Sequence, residues 1–143
     1  MNKFTVLTRT ILIVATAFVA FNFFPLALNA QDNAVSQVST GEQFVVSFTP
    51  ENPDSQRNSP HAWIAEIKTA DGEPVTNATI MVDGGMAAHG HGMPTRPRMT
   101  ENLGDGHYKI DGMQFHMAGE WQLNLAITVD DVTDTVTFDQ VIQ

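Results

Sequence analysis

Apolar residues recur at every second position in several short stretches of the chain. That two-residue period belongs to β-strands and not to helices. In "QFVVSFT", residues 43–49, Phe44, Val46 and Phe48 share one face. "AWIAEIKT", residues 62–69, places Trp63, Ala65 and Ile67 together. "NATIMVDGG", residues 77–85, reads as a third strand closed by Gly84 and Gly85. "HYKIDG" aligns Tyr108 with Ile110. The strictest alternation runs through Trp121, Leu123, Leu125, Ile127 and Val129, and a last strand continues from Val132 to Phe138.

Turn chemistry separates these stretches. Asp71-Gly72 supplies a position with positive φ before Pro74, "GDG" at 104–106 opens another hairpin arm, and Asp130-Asp131 links the last two strands. The segment 50–61, rich in Pro, Asn and Ser, is expected to be a loop. Residues 86–106 carry Pro94, Pro97 and several glycines with no apolar alternation, so they are expected to form a long loop or an irregular edge strand. No helical pattern is present after residue 30. About seven short strands with turns every eight to twelve residues predict an all-β chain, an immunoglobulin-like antiparallel β-sandwich.

The first 30 residues are patterned differently. Lys3 and Arg9 precede an apolar run from Thr10 to Leu28, and the stretch ends in Asn29-Ala30. This is the layout of a secretory signal peptide, with cleavage expected after Ala30. The length of the run also suits an uncleaved membrane anchor. The expected organisation is a signal peptide over 1–30, a polar lead over 31–42 and one β-sandwich domain over 43–143. The N-terminal segment would engage the export machinery, and the location would be the periplasm or cell envelope.

Composition narrows the function. The chain of 143 residues has a net charge of −9, and removal of residues 1–30 takes away Lys3 and Arg9 but none of the 16 acidic residues, leaving −11. So acidic a surface is repelled by nucleic acid and by anionic membranes, and no nucleic-acid partner is expected. The chain contains no cysteine, which excludes disulfides, thiolate metal sites and a cysteine nucleophile. No G-x-S-x-G, H-E-x-x-H or phosphate-cradling glycine loop is present, and the carboxylates are scattered among turns. Catalysis is not expected.

The candidate chemistry lies in "HGHGMP", residues 89–94. His89, His91 and Met93 fall at i, i+2 and i+4, so an extended backbone would project all three to one side. Imidazole suits Cu, Zn and Ni, and a thioether favours Cu(I). No Asp or Glu occurs between Gly84 and Thr100, so a calcium or magnesium site lacks its oxygens. Arg96 and Arg98 lie close in sequence and would oppose a bound cation. The plain alternative is a solvent-exposed glycine-rich loop. "QFHMAGEW", residues 114–121, adds His116 and Met117. On a regular strand Met117 shares the core-facing parity of Phe115 and Trp121, unless Gly119 marks a bulge that re-aims it. His116 would face away from that core, either toward the 89–93 segment or into water. His61 reads as a satisfied edge residue and His107 as a surface one. Met86 and Met113 flank glycines near the candidate site.

The stretches "HAW", "DGEPVTNATIMVDGGM", "HGHGMPTRPRM" and "LGDGHYKIDGMQFHMAGEW" resemble the YtkA-like family of exported β-sandwich proteins, a group related to the FixH-type proteins of respiratory oxidase assembly. "HGHGMP" and F-H-M-x-G-x-W are the specific part of that resemblance. The family usually has a proline after the methionine that precedes the histidines, whereas Met86 is followed here by Ala87-Ala88. The resemblance implies an immunoglobulin-like fold, an envelope location and a link to copper handling. Carried over by position, His89, His91, Met93, His116 and Met117 are its copper residues. The leading expectation is therefore a small exported, non-enzymatic copper-binding module of carrier or assembly-factor type. The rival is an envelope interaction domain that docks a membrane-bound or envelope protein through residues 86–106, with no metal.

Overall fold

The computed structural model describes residues 35–54 and 57–143, so the expected signal peptide lies outside the described residues. Gln31–Gln143 forms one compact unit. The alternating stretches become antiparallel strands: β1 (Ser36–Val38), β2 (Phe44–Pro50), β3 (His61–Thr69), β4 (Thr79–Met86), β5 (His91–Gly92), β6 (Arg98–Gly104), β7 (His107–Met113), β8 (Gly119–Val129) and β9 (Val132–Ile142). Seven of them are long. β1 and β5 are fragments, and β1 lies in what reads as a polar lead because its three residues are all exposed. The helical content of the described residues is one 3₁₀ turn, Ala87–His89. No helix among them is long and apolar enough to cross a membrane.

The strands follow the order β1-β2-β3-β7-β6-β4-β8-β9, with β5 added to β4. The seam between β6 and β4 is thin, a single pair between Arg98 and Met81. It divides the sheet into one layer of β1, β2, β3, β7 and β6 and another of β4, β8 and β9. The two free edges meet at one end, where the Thr40 amide donates to the Thr135 carbonyl at 2.7 Å. The result is an all-β sandwich closed nearly to a barrel.

The inward parity positions fill the space between the layers. Val46, Ala65, Ile67, Ile110, Leu123, Leu125 and Ile127 are fully buried, as are the larger Tyr108 and Trp121. Burying each large apolar side chain contributes about 1.5–3 kcal/mol. Tyr108 stays satisfied inside: its hydroxyl donates to the Val75 carbonyl at 2.7 Å and accepts from the Ala78 amide at 3.0 Å. The predicted turns form as well. Gly72 has φ of 89°, and Asp130 and Asp131 both adopt positive φ.

Residues 86–106 differ from the expected loop. They hold the 3₁₀ turn, β5 and β6, and β6 runs antiparallel to β7 as an inner member of the order. Its sequence shows no apolar period because six of its seven residues are exposed and only Met99 is half-buried. Polar side chains secure it instead: Asn102 Nδ2 donates to the Thr76 carbonyl at 2.8 Å, and Thr100 donates to Asp111 at 2.7 Å.

Candidate metal site

The approach to the site is set by a run of glycines. In β4 the core-facing parity of Ile80 and Val82 passes to Gly84 and Met86. β5 pairs with the end of β4, placing His91 opposite Met86 and Gly92 opposite Gly85, and the Met93 amide continues the ladder to the Gly84 carbonyl at 3.0 Å. Directly paired residues of an antiparallel ladder put their side chains on the same face. His91, Met86 and Met93 therefore share one face. Met93 occupies the room that Gly84 leaves, since a Cβ there would come within 2.8 Å of the Met93 terminal methyl. A Cβ on Gly85 would meet the His91 carbonyl at 2.7 Å. The glycines permit this close ladder, and larger residues would push β5 away.

His89 does not continue the extended segment. It ends the 3₁₀ turn, and Gly90 follows with φ of 66°. Its ring nevertheless stacks beside His91, with centroids 6.4 Å apart at an angle of 26°. His89 and His91 are exposed.

His116 arrives from the other direction. β7 ends at Met113 and β8 begins at Gly119, so residues 114–118 form an irregular link instead of a strand. Several bonds anchor it. The Phe115 carbonyl accepts from the Asn58 amide at 2.9 Å, and the Met117 carbonyl accepts from Trp121 Nε1 at 3.1 Å. Phe115 is buried and packs edge-on against Trp121 at 5.2 Å. This turns the half-buried His116 ring onto the edge of Trp121, at 5.4 Å, and against His91, at 5.9 Å. The Met117 side chain packs partly buried against the core. Gly119 has φ of 130°, which disfavours a side chain, and a Cβ there would sit 2.7 Å from the Met86 terminal methyl and displace it. Met86 is buried and reaches from beside His91 to the start of β8.

Three of the residues singled out by sequence, His89, His91 and His116, thus form a row of ring contacts. Met93 lies on the His91 face, and Met117 supplies a backbone acceptor that holds Trp121. Met86 and Trp121 join the site through the β4–β5 register and the rings. Met86 carried a sequence signal, its glycine neighbours, but Trp121 carried only a core signal. His61 and His107 stay apart from the cluster. Each turns its Nδ1 to a carbonyl two residues back, Ser59 at 2.8 Å and Asp105 at 3.0 Å, and His107 Nε2 lies 3.9 Å from Glu66.

The chemistry of the cluster is uneven. His116 Nδ1 is buried with no hydrogen-bond partner, one of two such side-chain atoms among the described residues. Leaving a buried polar atom unpaired costs about 1–3 kcal/mol. With metal–nitrogen bonds of about 2 Å, two imidazoles on one ion have ring centres about 4.5–6 Å apart. The His91 and His116 rings meet that condition. Among the described residues no three His, Asp or Glu side chains converge as a metal-holding group. The donor set is two imidazoles whose rings touch, with the thioethers Met86 and Met93 on the ladder face of His91, and that softness fits Cu(I) better than a hard cation. A depression of about 360 Å³ beside His91 is lined by Asp83, Gly84, Gly85, Met86, Gln122 and Asn124; His116, Arg96 and Arg98 do not border it. Glu120 and Asp139 line the adjoining one, next to Trp121.

Comparison with curated proteins finds no match. Among solved structures, the ZirS C-terminal domain is similar with a TM-score of 0.38 and 9% identity, covering 97% of this chain and 86% of that one. The family described as YtkA-like matches residues 36–126, which span β1 to the middle of β8 and include the whole histidine cluster. The chain belongs to the YtkA-like family.

Proposed function

We propose that this protein is an exported, non-enzymatic copper-binding module of carrier or assembly-factor type, with residues 1–30 as its export signal. The observation that carries the reading is the unpaired, buried His116 Nδ1 beside the His91 ring. His116 and His91 would hold the ion, and the thioethers of Met86 and Met93 on the His91 face would favour Cu(I). Bound copper supplies a transferable soft cation. The chain's own part is to keep two imidazoles in contact at an exposed rim, one fixed by Trp121 and one on the short β5 ladder. An exposed His91 and His89 beside a half-buried His116 suit a site that hands its ion to a partner in the envelope.

The test is a titration with Cu(I) under anaerobic conditions, with chelator competition to set the affinity. One tight ion per chain is expected. Substituting His91→Ala together with His116→Ala should remove that binding, beyond the roughly 10–100-fold typical of an outer-shell change. Imidazole binds a metal only when neutral, so affinity should fall between about pH 7 and pH 5. Binding that survives the double substitution, or that ignores this pH change, contradicts the proposed ligands.

A further inference from the structure

The sandwich fails to close at its other end. β1 covers β2 only as far as Ser47, and the edge of β9 is tied to the turn after β1 only near Thr135. Beyond the contact between Phe48 and Phe138, at 6.0 Å, the ends of β2 and β9 leave a cleft of about 270 Å³. Its walls are mixed: Pro50, Trp63, Phe115, Val141 and Ile142 form the apolar part, and His61, Gln140 and Gln143 add polar groups. No Asp or Glu side chain lines it, although the whole chain is strongly acidic.

Two further groups of the lining lack the partners their chemistry calls for. Trp63 is 3% exposed, and its Nε1–H is the second buried side-chain atom without a hydrogen-bond partner. Indole is a donor only, so what is missing is an acceptor. Arg57 borders the same cleft and makes no ion pair with any described residue. Its guanidinium is permanently charged and matches a carboxylate in geometry.

We infer that this cleft binds a small carboxylate with an apolar body, such as an aryl- or alkyl-alkanoic acid. Its carboxylate meets Arg57 and accepts from Trp63 Nε1, and its hydrocarbon part lies against Phe115, Val141 and Ile142. The site is separate from the histidine cluster and does not depend on the copper reading.

The two tryptophans make the test specific, because the chain holds only Trp63 and Trp121. Their indole N–H signals in a ¹⁵N-labelled sample are assigned by the loss of one in a Trp63→Phe variant. The probe is 3-phenylpropionate, with 3-phenylpropionamide as its uncharged counterpart. A saturable shift of the Trp63 signal with the acid is expected, weaker for the amide and weaker in Arg57→Gln by about tenfold or more, the loss of one charge-assisted hydrogen bond. The inference is overturned if the Trp63 signal does not move, if acid and amide bind equally, if Arg57→Gln binds as the parent does, or if only the Trp121 signal responds. Copper, by contrast, should perturb Trp121 and leave Trp63 in place, so failure of one reading leaves the other standing.

Discussion

Asp134 closes the sandwich with a single carboxylate. It accepts from the Gly41 amide at 2.9 Å and from the Gln43 amide at 3.3 Å, pinning the turn after β1 to β9. Burial pushes its carboxyl up, but the hydrogen bonds from Ser39, Gly41, Thr135 and Gln43 outweigh that and hold it below the ordinary carboxylate range. A depressed pKa in the folded state stabilises the fold above the unfolded-state value of about 4, and the contribution is lost as pH falls through the folded value. Asp134→Asn should therefore cost about 1–3 kcal/mol near neutral pH. Urea denaturation should show that gap shrinking as pH drops below about 4. A gap that stays constant between neutral and acid pH contradicts this role. Among the site residues, the histidines were legible as candidates because two imidazoles and a thioether at alternate positions are unusual. The half-buried setting of His116 was not legible. It depends on the bond from Trp121 Nε1 to the Met117 carbonyl, and no pattern in the sequence announces that bond.

At the scale of elements, the strands declare themselves wherever one face is buried. β8 is the clearest case, with Trp121, Leu123, Leu125 and Ile127 inward and polar or half-buried positions between. Leu125→Ala should cost about 2–5 kcal/mol as a cavity in the core, whereas Met81→Ala, at a residue 73% exposed, should cost little. Thermal or chemical melts of the two variants decide it, and equal losses would contradict the assigned faces. β6 was not legible because both its faces are largely wet. β5 was not legible because two residues carry no period. What the sequence shows there is the glycines, and the register explains them. Gly85→Ala should lever β5 off β4 and weaken copper binding by about 10–100-fold, though every histidine remains. Gly92→Ala is the control, since its Cβ would meet nothing closer than 3.8 Å. Chelator competition on both variants reads the difference, and equal affinities would remove the ladder from the account.

At the scale of the molecule, six of the seven long strands, the turns at Asp71-Gly72 and Asp130-Asp131 and the all-β class follow from local pattern. What local pattern could not supply is how strands distant in sequence lie in space. The segment at 89–93 and the link at 114–118 meet because β4 pairs with β8, carrying both to one end of the same layer. That pairing converts two unrelated histidine motifs into one cluster and leaves the Trp63 cleft outside it. The central claim is that His91 and His116 share one copper ion. It is tested most directly by crystals of the copper-loaded protein, read by anomalous scattering at the copper edge. The account predicts one peak per chain, about 2 Å from a ring nitrogen of each of these two histidines. A peak bound only by His89 and His91 in solvent, or none near His116, would contradict it.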